Sequence, residues 1–149
     1  MKTSLSALCV ALAAVPLSAI ADAGHGSIGR PGDPTKVSRT IEIVGSDNMR
    51  YTPSRITVKR GETVRLVVKN GGKLTHELVL GSAAELKEHA ALMRKFPNME
   101  HDEPNQARVK PGESAEIVWQ FTRAGVVPFA CLEPGHMEAG MTGTIKVVK

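Results

Sequence analysis

Short runs of alternating apolar and polar residues dominate this chain from residue 37 onward. In residues 55–59, Ile56 and Val58 share one face; in residues 63–69, Val64, Leu66 and Val68 do the same between polar partners. A period of two puts every second side chain on one buried face, which predicts half-buried β-strands. Runs at 40–44, 76–80, 115–121, 126–131 and 142–148 add to the series. Turn residues separate them: Arg60-Gly61-Glu62, Asn70-Gly71-Gly72 and Lys110-Pro111-Gly112-Glu113. Glycine and proline favour tight reversals, and the Gly61 turn predicts a hairpin between residues 55–59 and 63–69. About seven or eight short strands at this spacing predict an all-β sandwich.

One stretch follows the helical period instead. Ser82-Ala83-Ala84-Glu85 has the form of a capping box, and Leu86, Ala90 and Met93 follow at helical spacing. A helix of about three turns is expected in this insertion, ending near Phe96 because Pro97 disfavours helical backbone at its predecessor.

The N-terminus belongs to neither pattern. Lys2 precedes an apolar stretch over residues 5–21, interrupted by serines and Pro16 and closing on small residues up to Ala23. That is the form of a cleavable secretory signal, and it is shorter and more interrupted than the roughly 20 apolar residues of a membrane span. The expected organisation is a signal peptide over 1–23, a flexible Gly/Pro-rich segment over 24–36 and one folded domain over 37–149. Export to the periplasm follows, with no membrane span after signal cleavage. A chain of 149 residues with 42% hydrophobic and 23% charged residues suits a single globular domain and not a disordered or multi-domain protein. The net charge of +4 rests on residues such as Lys59, Arg60, Arg65, Lys69 and Lys73, spread along strands without interleaved aromatics. Solvated strand faces are expected, not a nucleic-acid site, and the protein is expected to be a monomer.

Cysteine usage sharpens the picture. Cys9 leaves with the signal, so Cys131 is the only remaining thiol and no intramolecular disulfide can form. A lone thiol in an oxidising compartment calls for an occupant. Cys131, His136 and Met141 lie on one loop, separated by gaps of four residues, with bends supplied by Pro134-Gly135 and Ala139-Gly140. Their side chains can converge, and His76, at the start of a strand, is the natural fourth donor. Thiolate and thioether are soft ligands, and two histidines, a cysteine and a weak methionine suit copper; zinc sites seldom take methionine. Loss of the thiol proton on metal binding accounts for a surviving lone cysteine. A thiolate nucleophile with a histidine base would leave Met141 without a role, so the chain is not read as an enzyme.

With those residues, the sequence from about residue 37 to 149 resembles the cupredoxins, the small blue copper proteins that include plastocyanin, azurin and rusticyanin. The resemblance implies a Greek-key sandwich holding one type 1 copper per chain. His76 and His136 would be its equatorial imidazoles, Cys131 its thiolate and Met141 its axial thioether, with Met137 part-exposed beside His136. Residues 76–80, 99–105 and 131–136 are most similar to periplasmic copper-tolerance members. The implied function is copper tolerance and homeostasis with competence for electron transfer, and the alternative is a dedicated electron carrier; a redox or copper-handling protein would be the partner. Two departures stand out: Glu77 occupies the place where carriers commonly have Asn or Ser, and Glu133 and Glu138 flank His136. Met93, Met99 and His101 form a candidate second copper site, His25 a weak accessory ligand, and His89 a helix-surface residue.

Overall fold

The computed structural model describes residues 28–97 and 102–149. The described chain runs through β1 (Arg30–Pro31), β2 (Arg39–Ser46), β3 (Arg50–Thr52), β4 (Arg55–Lys59), β5 (Thr63–Asn70) and β6 (His76–Leu80). After α1 (Ala83–Lys95) come β7 (Gln106–Val109), β8 (Ser114–Gln120), β9 (Gly125–Ala130) and β10 (Thr142–Val148). Two five-stranded sheets result, in the orders β1-β8-β5-β2-β3 and β4-β10-β9-β6-β7. The all-β sandwich with one short helix is therefore as expected.

The alternating residues meet between the sheets. Val64, Leu66 and Val68 of β5 and Ile117 and Trp119 of β8 face Ile56 and Val58 of β4, Val127 and Phe129 of β9, and Ile145 and Val147 of β10 in one continuous core. Each fully buried side chain of this kind contributes about 1.5–3 kcal/mol. Strands β1, β3 and β7 are too short for an alternation to declare them in the sequence.

The expected hairpin across Gly61 does not form. β4 pairs in parallel with β10, Ile56 opposite Ile145 and Val58 opposite Val147, whereas β5 pairs with β2 and β8 in the other sheet. The turn at Gly61, with φ +86°, is a corner between sheets, its amide donating to the Phe121 carbonyl at 2.6 Å. Alternation states which face of a strand is buried and is silent on which edge is paired.

Part of the segment expected over 24–36 is described and makes regular contacts. β1 pairs with β8, the Trp119 indole donates to the Ile28 carbonyl at 3.0 Å, and Gly32 N donates to the Val118 carbonyl at 2.9 Å. Glycine here permits close approach: a Cβ on Gly29 would lie 2.3 Å from the Gln120 carbonyl oxygen. Residues 1–27, with the expected signal peptide and His25, lie outside the described residues.

The capping box forms as expected, Ser82 Oγ accepting from Glu85 N and Glu85 Oε2 from Ser82 N. Leu86, Ala90 and Met93 then bury against Val79, Ala130 and Leu132, a second small core on the outer face of β6 and β9. No helix among the described residues is long and apolar enough to cross a membrane.

The core is tight beside the β9–β10 connection. Gly143 pairs with Phe129, and a Cβ there would lie 2.1 Å from the fully buried ring. Gly143→Ala should therefore destabilise the fold by about 1–3 kcal/mol, read as a lowered midpoint in thermal or urea melts; an unchanged midpoint would mean that the ring has room to move.

Candidate metal centre

Two strands of one sheet bring the predicted residues together. His76 opens β6, Cys131 directly follows β9, and the two strands are neighbours, with Val79 opposite Ala130. The loop from Cys131 to Met141 folds back as its glycines require, Gly135 and Gly140 having φ of +86° and +99°. Cys131 N donates to the Met141 carbonyl at 3.0 Å, and Met141 N to the His136 carbonyl at 3.0 Å, so the loop returns to its starting point.

Donor atoms of His76, Cys131 and His136 all lie within 4.8 Å of one another. Cys131 Sγ is 3.3 Å from His136 Nδ1, and the two imidazole rings are 5.2 Å apart. Cys131 and His76 are fully buried and His136 is half-buried. Met141 is also fully buried, and Gly45 is flanked by its methyl end and by His76: a Cβ on Gly45 would lie 3.0 Å from Met141 Cε and 3.6 Å from His76 Cβ.

The electrostatics fit a metal. His76 Nδ1 is buried without a hydrogen-bond partner, while Nε2 of the same ring is 3.0 Å from Asp47 Oδ1. Buried polar atoms are rarely left unpaired, and a lone-pair nitrogen among a thiol and a second imidazole is satisfied by a cation. Burial pushes the Cys131 thiol up to about 12, against the pull of the Glu77 and Glu133 amides that donate to the sulfur. His136 is held below the usual imidazole range, first by burial and then by the neighbouring His76. Thiol, two imidazoles and a nearby thioether form a soft-to-borderline set that suits copper.

A model of copper binding proteins of the plastocyanin/azurin family matches residues 38–148. The chain belongs to that family. It is 53% identical over 155 residues to the "Copper-resistant cuproprotein CopI" of Rubrivivax gelatinosus, covering 94% of this chain and 93% of that one. The protein of the same name from Pseudomonas aeruginosa is 40% identical over 160 residues, covering 87% and 88%. Among solved structures, reduced auracyanin from Roseiflexus castenholzii matches with a TM-score of 0.63 at 27% identity, covering 76% of this chain and 99% of its own. An azurin from Methylomonas sp. strain J, at TM-score 0.60 and 18% identity over 76% of this chain and all of its own, shares the fold. Copper is thus the metal of this cupredoxin's family.

The surroundings of the centre were only partly readable from sequence. Glu77 keeps a hydrogen bond to the cysteine through its main chain, N to Sγ at 3.3 Å, and its carboxyl accepts from the Leu132 amide. The other oxygen, Oε2, is buried without a partner. Tyr51, which no sequence pattern singled out, donates its hydroxyl to the Glu77 carbonyl. Glu133 and Glu138 are not free acids: Arg108 of β7 holds the first at 2.7 Å and Arg94 of α1 the second at 2.6 Å. Arg50 adds a bond to the Ala139 carbonyl at 2.9 Å. Met137 is half-buried against the small core under α1, and His89 is half-buried on the helix. Met93 is buried in that same core; Met99 and His101, the other members of the candidate second site, lie outside the described residues.

Glu77 has a measurable signature. Burial, with Glu133 adding to it, raises its carboxyl from 4.5 to about 7. A raised folded-state value means that the stability it supports is complete below about pH 4.5 and is lost as pH rises through about 7. The metal-free protein should lose on the order of 3 kcal/mol on this account between pH 4.5 and 8. Glu77→Gln should abolish that part of the slope, so urea melts across this range should show the difference between the two proteins growing with pH. A constant difference would mean that the carboxyl titrates normally.

Proposed function

We propose that this chain is a periplasmic copper-tolerance protein that holds one type 1 copper through His76, Cys131, His136 and Met141, acting as a monomer without catalytic turnover. The observation that carries this reading is the fully buried His76 Nδ1, unpartnered and grouped with Cys131 Sγ and His136 Nδ1. Residues 1–23 act as the export signal. When bound, copper supplies a one-electron Cu(I)/Cu(II) couple. Cys131 gives up its proton on binding, and the half-buried His136 offers the exposed edge of the centre. The β6–β9 pairing and the self-bonded loop hold the donors in one arrangement, which limits reorganisation. Tolerance is favoured because the relatives spanning nearly this whole chain are named copper-resistant. The half-buried His136 favours a second reading, a dedicated electron carrier docking with a redox protein.

Adding Cu(II) to the metal-free protein should produce an intense thiolate-to-copper band in the visible, absent from Cys131→Ser. Met141→Leu should retain copper and the band while shifting the spectrum and raising the reduction potential, and Met137→Leu should change neither. No band in the unmodified protein would remove the type 1 reading, and a shift confined to Met137→Leu would identify the wrong sulfur.

Deleting the gene separates tolerance from electron carriage. Growth of the deletion strain should fail at copper concentrations that the parent survives. Normal growth in copper with a stalled respiratory or oxidation pathway would favour the carrier.

A further inference from the structure

We propose that Asp47 is a positioning and tuning residue of the metal centre, its carboxylate fixing the His76 imidazole with the proton on Nε2 and biasing bound copper toward Cu(II). The inference rests on the copper reading above and concerns a residue that no sequence pattern marked.

Asp47 sits in the turn between β2 and β3, which Met49 closes with a φ of +59° and an amide bond to the Ser46 carbonyl at 3.0 Å. Its carboxylate makes three contacts on the segment leading into β6: the Lys73 amide at 2.7 Å, the Leu74 amide at 3.3 Å and His76 Nε2 at 3.0 Å. Two backbone amides and a ring nitrogen thus converge on one carboxylate, and donors gathered in this way favour its charged form. With Nε2 donating to Asp47, the ring's lone pair lies on Nδ1, the buried atom that lacks any partner. A carboxylate behind a metal-bound imidazole sets its tautomer and strengthens it as a donor. Cu(II) carries one more positive charge than Cu(I), so the anion favours the oxidised ion.

The segment facing Asp47 is shaped to admit it. Asn70 ties the turn down, its side chain donating to the Leu74 and Val109 carbonyls and accepting from Gly72 N. A Cβ on Gly72 would lie 1.9 Å from Asp47 Oδ1. Gly72 does not have a positive φ, so its backbone would accept alanine. What excludes a side chain there is the carboxylate itself.

Two variants test the idea. Asp47→Asn keeps the shape and removes the charge; Gly72→Ala keeps the charge and displaces it. In the copper-loaded proteins, Cu(II) affinity should fall about tenfold more than Cu(I) affinity in Asp47→Asn, measured by competition with chelators selective for each ion. For a one-electron couple, that tenfold change is a rise of about 59 mV in the reduction potential. Gly72→Ala should shift the potential the same way although it touches no metal ligand, and the double variant should shift it no further than Asp47→Asn alone. In the metal-free protein, nitrogen NMR should find His76 protonated on Nε2 and should find that preference lost in both variants. An unchanged or lowered potential in Asp47→Asn, or an unchanged tautomer, would overturn the proposal even if melting temperatures fell. Loss of the visible band in the unmodified protein would instead remove the copper reading itself, while the tautomer measurement still judges Asp47.

Discussion

A thiol buried at the end of an apolar sandwich is the constraint on which the centre depends. Removed from water, the Cys131 sulfur resists ionisation even with two backbone amides directed at it. A buried thiolate is tolerable only when its charge is compensated. The two imidazoles are placed so that a cation, and not a proton, can supply that compensation. The β6–β9 ladder brings His76 and the Glu77 amide to the sulfur, and β9 and β10 deliver both ends of the loop that carries the rest.

Around that buried group, the outer contacts act by orientation more than by strength. The Arg94–Glu138 pair is about half exposed on both sides, and exposed ion pairs contribute only about 0–1 kcal/mol each. Together with Arg108–Glu133 and Arg50 on the Ala139 carbonyl, it fastens the ligand loop from three different elements. The helical insertion thus has a place in the architecture: it covers the outer face of β6 and β9, packs against Met137 and supplies one of the fastening arginines. The two glutamates that flank His136 in the sequence are partners of these cations.

Two carboxylates distinguish the neighbourhood from an apolar one, and they do different things. Glu77 is buried beside the cysteine loop with one oxygen unpartnered, so its ionisation opposes folding. Asp47 lies at the surface, held by two amides, and reaches a buried imidazole. Both belong to the conditions under which copper would be held, and neither is a donor in the candidate set.

Local chemistry is what the sequence determined by itself. Strand faces follow from the alternation of residues such as Val64, Leu66 and Val68, and the helix start follows from Ser82 and Glu85, because both signals are carried by neighbours in the chain. The Cys131, His136 and Met141 loop was readable for the same reason: three donors and two bends lie within a few residues of one another. Only the tertiary structure decided which strand edges pair, and it sent β4 and β5 to opposite sheets because a period of two specifies a face and not a neighbour. It alone decided that Arg30 and Pro31 complete an edge, that Glu133 and Glu138 are paired, and that Asp47, far from His136 in sequence, stands behind His76. Those contacts join residues tens of positions apart, and they exist only once both sheets have closed on one core.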